Sequence, residues 1–329
     1  MRAARIVTCG EPPVVAECPD PEPGPDEPLV RVLAAPITPL DLLCASGTSY
    51  FGTPATPYVP GVQGVGRVAG ASDVGTVADD GRLVWFPTRA GMAPGDGSMA
   101  ELARVPAADL VELPAGADPV AVAALGLSAV AAYQALTWRG ELAAGEQVLV
   151  LGAGGAVGQA AVQLARMHGA RRVVAAARSA AARERAAEAG ADAVVALEPG
   201  DDVAGLATRL TAACDGPVDL VLDPLYGIPA AAAARTLRPG GRLVNLGGSA
   251  GETSPLDSST LRGRSLRILG YTNNELTGEQ RAAAMGHVAS LALEGRLHVA
   301  HERVPLTDAP AAWHRQSTGT TSGRLVLTP

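Results

Sequence analysis

The sequence predicts a two-domain α/β protein in which a β-rich domain accompanies a doubly wound parallel sheet. Three observations carry that expectation. The chain has 329 residues, more than the roughly 100–200 of a single domain. Its texture changes near Glu146, from short apolar runs punctuated by Pro and Gly to β-like runs alternating with Ala-rich helical stretches. A glycine-rich turn at Gly152 lies between a strand-like and a helix-like segment.

In the first part, the apolar runs 29–34, 64–69 and 82–86 read as strands. Residues 120–136 are the longest apolar stretch. Ala dominates it, and Gly126, Ser128 and Gln134 interrupt it, so a buried helix is expected rather than a membrane span. Strands are then expected at 148–151, 173–177, 193–196, 219–223, 242–246 and 266–269, with helical crossovers that demand parallel pairing. Val157, Ala161, Leu164 and Ala165 share one face of a helix that stops at Gly169. A helix at 279–294 and a strand at 324–327 close the chain.

Composition narrows the chemistry. With 47% hydrophobic and 18% charged residues the chain is globular, and a net charge of -7 repels the phosphate backbone that dominates nucleic-acid affinity. All 26 basic residues are Arg. Without Lys there is no Walker A lysine, no Schiff-base amine and no Tyr/Lys pair of the short-chain dehydrogenases. Cys9, Cys18, Cys44 and Cys214 form no C-x-x-C pair, which favours reduced thiols and a cytoplasmic location; no apolar segment of signal type follows the basic residues 1–5.

The glycine turn reads Gly152-Ala153-Gly154-Gly155-Ala156-Val157-Gly158. Glycines here let backbone N–H groups at a helix N-terminus approach a pyrophosphate, which points to a dinucleotide. The second strand ends in Ala177, Arg178 and Ser179, where an NAD site usually has a carboxylate for the ribose 2'-hydroxyl. A guanidinium and a hydroxyl suit a 2'-phosphate instead, so NADPH is the expected cofactor. Arg183 and Arg185 read as a solvated helix face.

At larger scale the chain resembles the medium-chain dehydrogenase/reductase superfamily, in its zinc-independent quinone oxidoreductase and enoyl reductase branch. The resemblance rests on Tyr58-Val59-Pro60-Gly61-Val62-Gln63-Gly64-Val65-Gly66, on Gly97-Ser98-Met99-Ala100-Glu101-Leu102, and on the segment from Leu127-Ser128 through Tyr133 to Leu136. Pro239-Gly240-Gly241-Arg242 and Ser322-Gly323-Arg324-Leu325 complete it. It implies a GroES-like catalytic domain formed by 1–122 and 272–329 around a Rossmann domain at 123–271, assembled as a homodimer through the edge strand 266–269.

Zinc alcohol dehydrogenases of that superfamily carry Cys-His where this chain has Thr38-Pro39, and Gly-His-Glu where it has Gly61-Val62-Gln63. No metal is therefore expected, and His298 with His301 lacks a third ligand. Hydride chemistry without that Lewis acid suits an acceptor already electrophilic: an enone, an enoyl thioester or a quinone. The resemblance implies proton donation or enolate stabilisation by Tyr50, with Thr38, at the place of a family Asn, as its rival. It also implies cofactor contacts at Ser128, at Leu246, Gly247 and Gly248, and at Tyr271, Thr272 and Asn273. Asp41 and Asp223 are expected to be structural, and Arg324 to be either a phosphate contact or a surface charge. Two other readings compete. Residues 247–251 match the G-x-S-x-G of serine hydrolases, but Pro255 follows where that motif needs a helix. The changed Thr38 position, and Leu43 where some bacterial quinone reductases of that branch carry a tyrosine, also admit a non-catalytic, NADPH-binding protein of the same fold.

Overall fold

Alternating apolar runs become strands, and Ala-rich runs become helices that cover them. The computed structural model describes residues 1–70 and 78–329. The chain begins with β1 (Arg2–Arg5), β2 (Val14–Glu17), β3 (Leu29–Pro36), α1 (Pro39–Ala45), β4 (Gln63–Gly70), β5 (Ala78–Pro87), β6 (Leu102–Arg104), β7 (Val111–Glu112) and α2 (Pro119–Gln134). There follow β8 (Gln147–Leu151), α3 (Ala156–Met167), β9 (Arg172–Ala177), α4 (Ala180–Glu188), β10 (Ala193–Ala196), α5 (Val203–Ala213), β11 (Val218–Asp223), α6 (Gly227–Ala234), β12 (Leu237–Asn245), α7 (Ser258–Gly263) and β13 (Arg267–Gly270). The last elements are α8 (Gly278–Leu293), β14 (His301–Pro305), α9 (Ala309–Ser317) and β15 (Arg324–Thr328).

Two units result: Met1–Leu127 with Gly278–Pro329, and Ser128–Thr277. The sequence-based limits, 122/123 and 271/272, fall a few residues short of these. The reason is physical, because α2 carries the chain through the first limit without any break in composition.

In the first unit, strands pair in the order β14-β15-β3-β4-β5-β7, with β6 on β3, while β1 and β2 form a separate pair. β15 lies antiparallel to β3, and Ile37 N donates to Leu325 O at 2.9 Å. Leu325 and Leu327 thereby enter a core that holds Ile6, Val30, Phe86 and Met99. The C-terminal strand is thus an interior part of the N-terminal unit.

In the second unit, six parallel strands run β10-β9-β8-β11-β12-β13. All five residues of β8 are buried, as a parallel sheet covered on both faces requires. Leu149, Leu151, Val174, Leu206, Leu210 and Leu243 make the core on one face. Among the described residues the edge strand β13 pairs only with β12, and it exposes Arg267 and Ile268. The segment Pro119–Arg139 is long and apolar enough to cross a membrane by composition, and most of it is buried inside the protein.

Candidate functional site

β8 runs directly into Gly152, whose φ of +63° turns the chain into α3. Ala153 N donates to Ala176 O at 3.0 Å, tying the turn to β9. A Cβ on Gly154 would stand 2.3 Å from Ala182 Cβ, and one on Gly158 would stand 2.4 Å from Ala153 Cα, so both glycines permit close packing. Gly155 differs. A Cβ there would meet nothing nearer than Gly152 O at 3.5 Å, and Gly155 caps α3 without any side-chain bond. The first intrahelical bond is Gln159 N to Gly155 O, so the N–H groups of Ala156, Val157 and Gly158 are left for an outside acceptor. Three convergent N–H groups at the positive end of a twelve-residue helix fit a pyrophosphate.

At the end of β9, Ser179 caps α4, accepting from Ala182 N at 3.2 Å. The Arg178 guanidinium is exposed and bonds no other group among the described residues. Arg185 corrects the expectation of a solvated face, since its Nε donates to Gly154 O at 3.1 Å and braces the glycine turn. Arg183 donates to Arg178 O at 2.5 Å.

The parallel register aligns the other strand ends, pairing Leu151 with Ala176, Asp223 with Asn245, and Asn245 with Gly270. Residues 152–158, 178–179, 246–248 and 271–273 therefore meet along one edge of the sheet, where open α/β folds bind ligands. Leu246 N donates to Asp223 O at 2.9 Å, and Asn245 Nδ2 donates to Gly247 O at 2.8 Å. Burial pushes the Asp223 carboxyl up; its oxygens accept from Leu225 N, Tyr226 N and Asn245, a structural clamp as expected. The Tyr271 hydroxyl donates to Asn273 Oδ1 at 2.7 Å, and Thr272 caps the short turn that follows. Ser128 is half-buried on α2, apart from the strand ends in sequence.

In the first unit, Thr38 caps α1 through a reciprocal box: Asp41 N donates to Thr38 Oγ1, while Thr38 N and Oγ1 donate to Asp41 Oδ2 at 2.8 and 2.6 Å. Asp41 Oδ1 accepts from Gly61 N and Val62 N. Burial pushes the Asp41 carboxyl up, and these donors oppose that shift. The Thr38 proton is thus committed to Asp41. Burial, with Asp41 beside it, also pushes the Cys44 thiol up to about 11. Arg324 is neither a surface charge nor free for phosphate: it is buried, donates to Ile37 O at 2.9 Å, and its pKa falls to about 10 through desolvation.

Tyr50 is 79% exposed and packs on Phe51 with ring centroids 4.1 Å apart. Desolvation, with Cys44 adding to it, moves its phenol above the ordinary value, so the proton stays on at neutral pH. Beside Phe51 opens a pocket of about 550 Å³ lined by Pro54, Pro57, Tyr58, Met92 and Asp96 among others. Its volume lies in the range of ligand sites. Among the described residues no cluster of three or more His, Cys, Asp or Glu is placed to hold a metal, and the four cysteines are unpaired.

Sequence reasoning missed two groups here, Arg185 and Gln63. In the sequence Gln63 reads only as a replaced metal-ligand position and Arg185 only as a helix-face charge; the packing of α4 on the glycine turn gives Arg185 its partner Gly154 O, and that of β4 against β5 and α2 gives Gln63 its partners Trp85 and Leu127.

Residues 24–115 match the alcohol dehydrogenase GroES-like domain, and residues 156–289 match the zinc-binding dehydrogenase family. Rat quinone oxidoreductase is 31% identical over 251 residues, 75% of this chain and 73% of that protein. Human quinone oxidoreductase is 34% identical over 172 residues, 51% of this chain; the match spans only half the length of the human protein. The solved quinone oxidoreductase of Thermus thermophilus, studied also as its NADPH complex, superposes with a TM-score of 0.82 at 29% identity over the whole of both chains.

Proposed function

The chain belongs to the medium-chain dehydrogenase/reductase superfamily, and on that premise we propose that it is an NADPH-dependent reductase of an enone, an enoyl thioester or a quinone, working without zinc. The observation that carries this reading is the sheet edge of the second unit, where an uncapped α3 and an unengaged Arg178 lie at successive strand ends with no carboxylate between them. NADPH, when bound, supplies a hydride from its nicotinamide. The α3 N–H groups hold the pyrophosphate, and Gly155 leaves room for it. Arg178 takes the 2'-phosphate, with Ser179 beside it. The strand-end residues Gly247, Gly248 and Asn273 complete the cradle. On the acceptor, charge develops at oxygen as the β-carbon gains hydride, and a proton is later taken up at the α-carbon. Tyr50 holds an exposed phenolic proton for that charge, whereas the Thr38 hydroxyl already donates its hydrogen bond to Asp41 and orders α1. The apolar body of the acceptor fits the pocket beside Phe51.

The test is consumption of NADPH with a panel of enones and quinones. Tyr50→Phe is expected to lower enone turnover by roughly 10²-fold with cofactor affinity unchanged, the usual scale of acid catalysis. A rise confined to KM would make Tyr50 a lid rather than a donor. A quinone that gains its protons from water should tolerate the substitution.

Cofactor choice is tested separately by fluorescence titration. NADPH is expected to bind at least about tenfold more tightly than NADH, and Arg178→Ala to remove most of that difference, a loss of about 1.5–3 kcal/mol for a bond between charged groups. Equal affinities for the two cofactors would overturn the assignment of Arg178.

The half-exposed β13, unpaired on one side, is the surface on which a second copy would extend the sheet. Light scattering should give twice the 33.1 kDa chain mass; a stable single-chain mass at micromolar concentration would count against a homodimer.

A further inference from the structure

The glycine turn contains one peptide bond with glycine on both sides, Gly154–Gly155. Glycine takes either sign of φ, so this peptide, alone in the turn, can rotate end over end at little steric cost. The rotation would carry φ of Gly155 from -82° to roughly +100°, a region closed to most residues with a Cβ. It would also exchange the directions of the Gly154 carbonyl and the Gly155 N–H, which a trans peptide points opposite ways. As folded, Gly155 N donates to Gly152 O at 3.1 Å and closes the turn. Rotated, the peptide would set two carbonyl oxygens against each other there, and the turn would open ahead of α3.

Two side chains oppose that rotation. Gln159 Nε2, on α3, donates to Gly154 O at 2.9 Å, and Arg185 Nε, on α4, donates to the same oxygen at 3.1 Å. A carbonyl can only accept, so Gln159 must present its NH2 to it. α4 lies against this peptide: a Cβ on Gly154 would stand 2.3 Å from Ala182 Cβ, and Arg185 follows Ala182 by three residues, on the same face of the helix. One donor already satisfies the carbonyl. Arg185 is half-buried and its guanidinium makes no other bond among the described residues. What its bond adds is direction, since the carbonyl is now held from two helices.

We propose that Arg185 is a positioning residue for the dinucleotide: with Gln159 it locks the Gly154–Gly155 peptide in the orientation that keeps the α3 N–H groups aimed at the pyrophosphate. This rests on the cofactor reading above and takes it further. The lock serves the pyrophosphate, which NADPH and NADH share, whereas Arg178 serves the 2'-phosphate that NADPH alone carries. Every residue of the lock belongs to the second unit.

The test compares two substitutions in the full chain. Glutamine places its Nε2 as many bonds from Cα as arginine places Nε, so Arg185→Gln keeps an N–H for Gly154 O and drops the charge. Arg185→Met keeps the length and offers no donor. Fluorescence titration of Arg185→Met should show NADPH and NADH both weakened about tenfold with their ratio kept, and Arg185→Gln should recover most of the loss. A bond serving stability alone would move the melting temperature and leave both affinities as they are, which would overturn the proposal. An equal loss in the two variants would also overturn it, by making the charge rather than the N–H responsible. So would a loss confined to NADPH, which would make Arg185 a contact of the 2'-phosphate.

A second measurement needs no cofactor. In the ¹⁵N-labelled native chain the Gly155 amide should exchange with water at least about tenfold more slowly than in an unstructured peptide, and faster in Arg185→Met than in Arg185→Gln. An unprotected Gly155 amide in the native chain overturns the lock even if Arg185→Met does not fold. A native chain that binds neither NADPH nor NADH would sink the cofactor reading, and the exchange rates would still decide whether the peptide is locked.

Discussion

Gly158→Val is expected to weaken NADPH binding by at least about 100-fold, or roughly 2.7 kcal/mol, while the first unit keeps its fold. A Cβ at this position would lie 2.4 Å from Ala153 Cα and 2.5 Å from Gly152 O. Both are backbone atoms of the turn itself, so a side chain there must push the turn off α3 and spoil the aim of the N–H groups of Ala156 and Val157. Gly155→Ser makes the informative contrast. That position has room, with the nearest atom at 3.5 Å, and a serine at an N-cap bonds the first-turn N–H groups. The substitution should raise the melting temperature, by about 1 kcal/mol of stability at most, and still weaken NADPH, because the hydroxyl would occupy donors that the pyrophosphate needs. Fluorescence titration and a thermal melt together check this. A Gly158→Val chain that binds NADPH within threefold of the native one would mean that the glycine turn is not the cofactor site.

Arg242→Met should destabilise the second unit by about 3–5 kcal/mol, the usual cost of breaking a buried ion pair on one side. Arg242 is 2% exposed and makes five bonds. Two go to the Glu146 carboxylate at 2.7 and 2.6 Å, and the others go to the carbonyls of Gly140, Glu141 and Asp219. These partners join β12, β11 and the loop before β8, so removing the guanidinium takes the two short charged bonds from the half-buried Glu146 carboxylate, which keeps only the Ala143 N–H and a longer contact with Arg238, and takes a donor from each of three carbonyls. The double variant Arg242→Met/Glu146→Leu should recover much of the loss, since no charge then lacks a partner.

The pair also sets a pH dependence. Burial tends to raise the Glu146 pKa, but its bond to Arg242, with the Ala143 N–H and Arg238 nearby, outweighs burial and holds it below the ordinary 4.5. A carboxyl depressed in the folded state contributes stability that is present above its unfolded pKa and is lost as pH falls through the folded value. The native chain should therefore lose stability below about pH 4.5, and the double variant should lose less over the same range. Denaturant melts at pH 7 and pH 4 measure both effects; an Arg242→Met melt equal to the native one would show that the network carries no stability.

The parallel sheet was legible in the sequence because buried parallel strands are continuous apolar runs, and the six expected runs became β8 to β13 with ends shifted by a few residues. The glycine turn was legible because its local pattern alone demands a missing side chain. Thr38 and Asp41 show the limit. Their spacing is that of a capping box, a local signal, yet only the fold brings Gly61 and Val62 N–H to the second Asp41 oxygen and so commits the Thr38 proton. Arg324 was legible as a charge but not as a buried one, since its surroundings come from residues far away in the chain.

By itself, then, the sequence determined the two-unit α/β class, the position of the glycine turn between β8 and α3 and the lack of an acidic residue after β9, all of which depend on neighbours within about 20 residues. The tertiary structure decided which polar groups are spent and which remain available. Arg178 is unengaged while Arg185 braces Gly154 from 31 residues away, and Gln63 is oriented by Leu127 across 64 residues. A hydrogen bond has direction and a reach of about 3 Å. Whether a donor is satisfied therefore depends on which distant segments the packing delivers, and residue order along the chain does not encode that locally.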